Sequence, residues 1–497
     1  MAQNTDARGF HFADGNGNTL SSTEFAKFLL ARAADASDPA LAASIRAESK
    51  WRKNYQRYFL QVARIEFAER NNGFALANSG LGTLSGNIVD AEGSSLFELA
   101  EIGFTKRNIV HTIRIKGSGI ADRYWPEADH ALPEVADSWA QQGLAEEDVV
   151  HAFEFLHRNP ALPIADDLLI ALAGNAELAA TRDWLDMGGR VAVVARPNAK
   201  AWADLIAHAR GSAGELLVPV SNPLSHSASD EELAASAGLN FVDQIALTSS
   251  WLHELSRGEN RIVISSNAYV GGSKQIIAQA AQDALIAVAS ENIAKSRLAL
   301  SYLATPLDIV VTEKAIAEKQ LAAFDMRDLG EKIRDAIFKP FGQLLPAAPE
   351  AVEAESNSFA IFDASSVRQG SSYLLAKHSE KWRAIVSARR GNLVSFTVAP
   401  PATTRSVLGV KILEKTYRGL HHFGVVPFES SAARRAMALI LLRNLHDQSS
   451  PAAAQNSLKQ PVAMVSATAI HGGTWRLGYR PDTIWVAATL FGWLRRK

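Results

Sequence analysis

The sequence predicts an α/β protein with a parallel sheet behind a helical N-terminal domain, and three observations carry that expectation. From about residue 161 onward, short β-branched runs alternate with alanine-rich helical stretches, the rhythm of a parallel sheet covered on both faces. Residues 1–160 instead place their apolar side chains mostly at helical spacing. A chain of 497 residues suits about three domains with large cores. The expected divisions are 1–160, mostly helical; 161–312, a degenerate Rossmann-like unit; and 313–497, a second α/β half ending in an apolar segment. The sheet is expected to be tandem or extended.

In the first region, Ser21 and Glu24 have capping-box spacing and predict a helix to about Ala34. Trp51, Tyr55, Tyr58, Phe59, Val62 and Ile65 recur along one helical face, with Phe67 off the stripe. The basic residues between them fit a solvated side better than a nucleic-acid surface. DGNGNT at 14–19 has the look of a calcium loop. Glu24, however, falls at the eleventh position from Asp14 where the twelfth is required, and Thr19 replaces the needed glycine, so a turn is expected.

RNPALPIADD, 158–167, marks a boundary by its prolines. Beyond it come the strand DDLLIALAG, a helix to Met187, the strand RVAVVAR, a helix over AKAWADLIAHAR and the strand ELLVPVS. RIVISS (261–266), a long helix to about Ala294 and RLALSYLA follow. A Pro/Ala/Glu/Ser connection at 344–358 opens the third region. There SFAIFDASS, NLVSFTVAPP and PVAMVSAT are predicted strands, and YLLAKHSEKWRAIVSARR and AARRAMALILLRNL are predicted helices. The serine-ended strands at 261–266 and 358–366 suggest a duplicated α/β unit.

Composition narrows the function classes. With 51 basic and 52 acidic residues the formal charge is −1, so no global field draws the chain to nucleic acid or an anionic membrane. The absence of cysteine excludes disulfides, thiolate catalysis and cysteine-ligated zinc, and fits a reducing compartment. No signal peptide or membrane span is readable, which makes a cytoplasmic location the expectation. His421, His422 and His471 lack companion spacing for a metal, so no metal is expected. Asn240 reads either as a site asparagine or as helix interior. The segment TIWVAATLFGWL, 483–494, predicts core packing or a homo-oligomer contact, with an interfacial anchor as the lesser alternative.

One constellation carries chemistry. Tyr373 and Lys377 lie four apart on a predicted helix, hence on one face, with Ser365 and Ser366 just upstream. An ammonium beside a phenol favours phenolate and lowers the phenol's pKa, which suits proton donation to a carbonyl oxygen receiving hydride. A serine hydroxyl would hold that oxygen. Further upstream, ALAGNAELAA offers Gly174 alone where a dinucleotide turn has three glycines, with small Ala173, Ala176 and Ala179 around it. Arg196 ends the next strand, where an arginine can meet a 2′-phosphate.

In order, these features resemble the short-chain dehydrogenase/reductase superfamily. Strand–Gly174–helix, GGRVAVVAR to Arg196 and a strand to Asn222 are similar to its opening. IFDAS-Ser366, Tyr373-x-x-x-Lys377, FTVAP-Pro401 with Thr403 and Thr404, and ATAIH-Gly472-Gly473 are similar to its second half. The resemblance covers about residues 165–475. The glycine fingerprint is mostly missing, the Ser366–Tyr373 interval is short, Pro401 stands where the family has glycine, and Tyr269 and Lys274 are five apart. The layout looks like the tandem units of polyketide ketoreductases. It implies an NADP- or NAD-dependent reduction of a small-molecule carbonyl, a ketone or thioester-linked keto group, or the reverse oxidation. Tyr373 would be the acid, Lys377 its cation, Ser366 the oxygen holder, and Gly174 and Arg196 cofactor contacts. The alternative is a noncatalytic relative that serves as a scaffold or partner subunit.

Overall fold

The computed structural model describes residues 9–106, 109–122, 131–225, 228–258, 261–354, 358–366 and 369–494. The described residues begin with a hairpin of β1 (His11–Ala13) and β2 (Thr19–Leu20). Asp14 Oδ1 closes its turn by accepting from the amides of Asn16 and Asn18 at 2.8 and 2.9 Å, and Gly17 takes a left-handed φ of 83°. DGNGNT is a turn. Helices α1 (Ser22–Asp35), α2 (Pro39–Ala47), α3 (Trp51–Ala68) and α4 (Arg70–Gly86), strand β3 (Ile88–Val89) and helix α5 (Leu96–Thr105) follow. The Ser21–Glu24 capping box starts α1. Phe67, off the apolar stripe of α3, is buried as well, because it meets Phe359 edge-on with ring centroids 6.4 Å apart.

Next come β4 (His111–Lys116), α6 (Leu132–Gln141), α7 (Glu147–Arg158), β5 (Asp167–Leu172), α8 (Thr181–Asp186), β6 (Arg190–Val194), α9 (Ala199–Gly211), β7 (Glu215–Val220), α10 (Asp230–Ser236), α11 (Ile245–Ser256), β8 (Arg261–Ser266), α12 (Lys274–Asn292) and β9 (Leu298–Ala304). An excursion of β10 (Ile309–Glu313), α13 (Lys314–Asp325), α14 (Leu329–Phe338), β11 (Glu350–Val352) and β12 (Phe359–Asp363) precedes α15 (Gly370–Arg389) and β13 (Leu393–Val398). The chain continues through α16 (Arg405–Leu408), α17 (Lys411–Gly419), α18 (Ser430–His446), α19 (Ala454–Lys459), α20 (Pro461–Ser466) and α21 (Trp485–Leu494).

Seven strands form one sheet in the order β13-β9-β8-β5-β6-β7-β4. Neighbours are parallel except β4, which runs antiparallel to β7. The six parallel strands, renumbered in chain order, read 6-5-4-1-2-3, the doubly wound order whose direction reverses between β5 and β8. This is a Rossmann-like α/β fold. Its central strands are largely apolar on both faces because helices cover both. Leu168, Ile170 and Leu172 of β5 join one core, while Leu169 and Ala171 join the core on the opposite face.

The sheet draws strands from all three sequence regions: β4 from the first, β5 to β9 from the second and β13 from the third. The two serine-ended strands enter different sheets. β8 lies in the centre of the large one, whereas β12 pairs antiparallel with β10 and β11 in a separate three-stranded sheet. They do not head a repeated unit. β4 was not foreseen, since HTIRIK at a sheet edge is partly exposed along its length. PVAMVSAT, expected as a strand, is helix α20: Pro461 sits in the first turn, where its missing N–H costs nothing.

Candidate functional site

In a doubly wound sheet, ligands sit outside the carboxyl ends of the strands where the order reverses, here between β5 and β8. Gly174 and Arg196 are brought together at that edge, at the ends of the adjacent strands β5 and β6. The Gly174 amide donates to Val194 O at 3.2 Å, and Arg196 is exposed. Asp243, ahead of α11, is raised above the usual carboxylate range by burial, against the pull of Arg196 and Lys274. Asn240 is not helix interior. It opens the loop before α11, its Oδ1 accepting from the Val242 amide at 3.2 Å and its Nδ2 donating to Asp243.

The turn after β5 is tightly packed. The expected helix does not start at Gly174; Ala173 turns left-handed at φ 56°, and α8, six residues long, begins only at Thr181. A Cβ on Gly174 would stand 2.8 Å from Ala171 Cβ and 3.1 Å from Val193 Cγ1, so the glycine is required by the packing of its own sheet. The Thr181 hydroxyl donates to Gly174 O at 2.7 Å and fixes the turn. A more open stretch follows β8. Gly271 and Gly272 have no neighbours where a Cβ would project. Gln275 and Gln282, on one face of α12, hold the loop: Gln282 Oε1 accepts from the amides of Asn267 and Ala268 at 3.1 and 3.2 Å, and Gln275 Oε1 from Val270 at 2.6 Å.

Tyr373 and Lys377 occupy the first turns of α15, the crossover helix from β9 to β13, beside the carboxyl end of β9. The Tyr373 ring meets Tyr269 of the β8 loop edge-on, centroids 6.0 Å apart, and Tyr269 is 66% exposed. Lys377 is buried, and its Nζ donates to Leu303 O at 3.3 Å and to both oxygens of Glu380 at 3.0 and 3.2 Å. The expected lowering of the phenol's pKa is not found. Burial first, then Tyr269, pushes Tyr373 up; Thr305 opposes through a hydrogen bond, while Glu380 and Asp308 add to the rise. The carboxylate that neutralises Lys377 is thus itself a negative neighbour of the phenol.

Ser366 is buried in the segment between β12 and α15, and its carbonyl accepts from the Gln369 amide at 2.9 Å. Ser365 has the denser surroundings. Its hydroxyl donates to Asp363 Oδ1 at 2.6 Å and accepts from Gln56 Nε2 at 2.8 Å. Burial pushes Asp363 up to about 6, against two hydrogen bonds from Ser365. Sequence reasoning missed this group, since Gln56 and Asp363 are joined only by the fold.

The rest of α15 is charged and buried. His378 Nε2 lies 2.7 Å from Glu66 of α3, Lys381 Nζ 2.8 Å from Asp308, and Arg383 forks onto Asp283 of α12 at 2.7 and 2.9 Å. Glu380, fully enclosed, is pushed up to about 7 by burial, with Lys377 pulling the other way. The signals were visible: a Lys-x-x-Glu pair at 377 and 380, and an aspartate inside the apolar run of α12. A cavity of about 330 Å³, ample for a small molecule, lies at the opposite, amino edge, where Arg114, Arg190 and Glu254 line it beside Leu168 and Ile262.

The histidines have structural places. His471 is buried, stacks on Trp475 at 5.2 Å and meets Glu146 at 3.0 Å; burial lowers its pKa against the pull of that carboxylate. His421 Nδ1 is 2.7 Å from Arg418 O. Among the described residues no cluster of three or more His, Cys, Asp or Glu could hold a metal ion, and no helix is long and apolar enough to cross a membrane. No family model, no curated protein and no solved structure matches the chain.

Proposed function

We propose that this chain is a noncatalytic Rossmann-like partner or scaffold protein, in which the helix that could carry a proton relay has become a structural strut. One observation carries this reading: the Lys377 ammonium spends its donors on Glu380 and Leu303 O inside the protein, beside a phenol whose pKa is raised. A neutral, half-buried phenol whose nearest cation is engaged elsewhere is a poor acid for carbonyl reduction. The closed turn at Gly174 supports the same reading. Work in the reducing cytoplasm accords with the lack of cysteine.

A second reading, NAD(P)-dependent reduction of a carbonyl, is favoured by the placement of Tyr373 and Lys377 at the carboxyl edge, beside the exposed ring of Tyr269. A dinucleotide would then need its phosphates held elsewhere than at Gly174, and the open Gly271–Gly272 turn is where this chain has room. The two readings part on one assay. With NADPH or NADH and a panel of ketones and 3-oxoacyl thioesters, the noncatalytic reading expects no cofactor consumption. Consumption that falls about 10²–10⁴-fold in Tyr373→Phe would overturn it. Arg196→Ala should then weaken NADPH binding more than NADH binding.

A further inference from the structure

Helix α14 is built inside out. Leu329, Ile333 and Ile337 recur every four residues along one face, with Met326 before them and Phe341 after, and all five are between 55 and 77% exposed. The opposite face, with Arg334, Asp335 and Phe338, points inward. Buried Asp335 accepts from Arg327, from Arg334 Nε at 3.2 Å and from the Tyr479 hydroxyl at 2.9 Å. Arg334 also donates to Tyr479 Oη at 2.7 Å and to His422 O at 3.3 Å. This anchoring holds the apolar stripe outward.

The neighbouring elements repeat the pattern. On α21, Ala487, Ala488 and Gly492 are buried while Leu490, Trp493 and Leu494 are exposed. Gly419 and Gly492 let α17 and α21 touch backbone to backbone: a Cβ on either would lie 1.8 Å from a carbonyl oxygen of the other helix. Phe338 of α14 and Phe491 of α21 lie 6.4 Å apart, so the two exposed stripes belong to one cap, with a small core of its own.

Charge identifies what covers this cap. Segments 329–341, 405–418 and 485–494 hold seven basic residues and three acidic ones, while the rest of the chain holds 44 basic and 49 acidic. Lys332 and Lys339 are exposed beside the α14 stripe, and Lys415 stands 5.6 Å over the Trp493 ring. A second copy of the chain would set this positive charge against itself across a two-fold interface. An anionic lipid surface complements both features, apolar side chains entering the acyl boundary and lysines and arginines meeting headgroups. We propose that the cap formed by α14, α17 and α21 docks in the plane of an anionic membrane, without crossing it. The proposal rests on residues outside the carboxyl-edge crevice and stands under either reading of that crevice.

The test is cosedimentation of the full chain with vesicles of equimolar phosphatidylglycerol and phosphatidylcholine, against pure phosphatidylcholine, at about 0.1 M salt. The expected result is partitioning at least about tenfold stronger onto the anionic vesicles, weakened by added salt. Ile333→Glu with Ile337→Glu should reduce it at least about tenfold with an unchanged melting temperature, since both residues are exposed. Ile120→Glu, at an isolated position 95% exposed, should leave binding as it is. Equal binding to both vesicles, or none, would overturn the proposal. So would a concentration-dependent dimer that the double substitution dissolves while vesicles stay bare, which would make a second copy the occupant.

Discussion

Helices α14 and α15 both depart from the usual amphipathic pattern, and they do so in opposite senses. α15 buries lysine, histidine, glutamate and arginine on nearly every side, each answered by a partner from another turn, helix or loop. α14 turns Arg334 and Asp335 inward and leaves Leu329, Ile333 and Ile337 in solvent. A buried charge that is paired has already been used by the fold. An apolar face without cover has not. The difference sets paired, enclosed charges on α15 against an apolar stripe on α14 that faces solvent.

The sharpest way to break this comparison is at Arg383. Arg383→Met leaves Asp283 buried without its partner, and unfolding by urea should show a loss of about 3–5 kcal/mol. A loss under about 1 kcal/mol would mean that α15 is not held by its ion pairs. The cap offers a second break. Gly419→Ala puts a methyl group into the Ala488 carbonyl, and overpacking of this kind costs about 1–3 kcal/mol. Limited proteolysis should then cut near α17 and α21 before the sheet yields; an unchanged pattern would show that the two helices can move apart freely.

Acidity sharpens the comparison from the α15 side. Folded Glu380 keeps its proton to about pH 7, whereas in the unfolded chain it loses it near 4.5. Between those values the native state binds more protons, so this group's contribution to stability is present at low pH and is lost as pH rises through the window. Glu380→Gln should flatten that part of the stability profile, and an unchanged slope would place the titration elsewhere. The smallest effect belongs to α14. Ile333→Ser should alter stability by no more than about 0.5 kcal/mol, because the residue is already in water.

Much of the sheet was legible in the sequence, because a strand covered on both faces has an apolar run without alternation, as LLIAL, VAVV and IVI do. The Ser21–Glu24 cap and the DGNGNT turn were legible for the same reason: their chemistry is local. What failed was non-local. Nothing within SFAIFDASS says that its strand pairs with β10 rather than entering the central sheet. The Tyr373–Lys377 spacing fixed a shared helix face, and the helix is there. The state of that pair depends on Glu380, Thr305, Asp308 and Tyr269, which only the fold assembles around it. Gly174 looked like a vestige of a phosphate turn, whereas its missing side chain is required by Ala171 and Val193.

The role of Lys377 decides between strut and relay, and a double-mutant cycle with Glu380 measures it most directly. Lys377→Met and Glu380→Met should each be strongly destabilising, by about 3 kcal/mol or more, and the double substitution should recover most of the loss, because no charge is then left buried alone. Recovery of that size gives a large coupling energy and makes the ammonium part of the fold. Small, additive effects would contradict this: an ammonium that Glu380 does not hold is free to serve the Tyr373 phenol, and the helix would have to be read as a catalytic one.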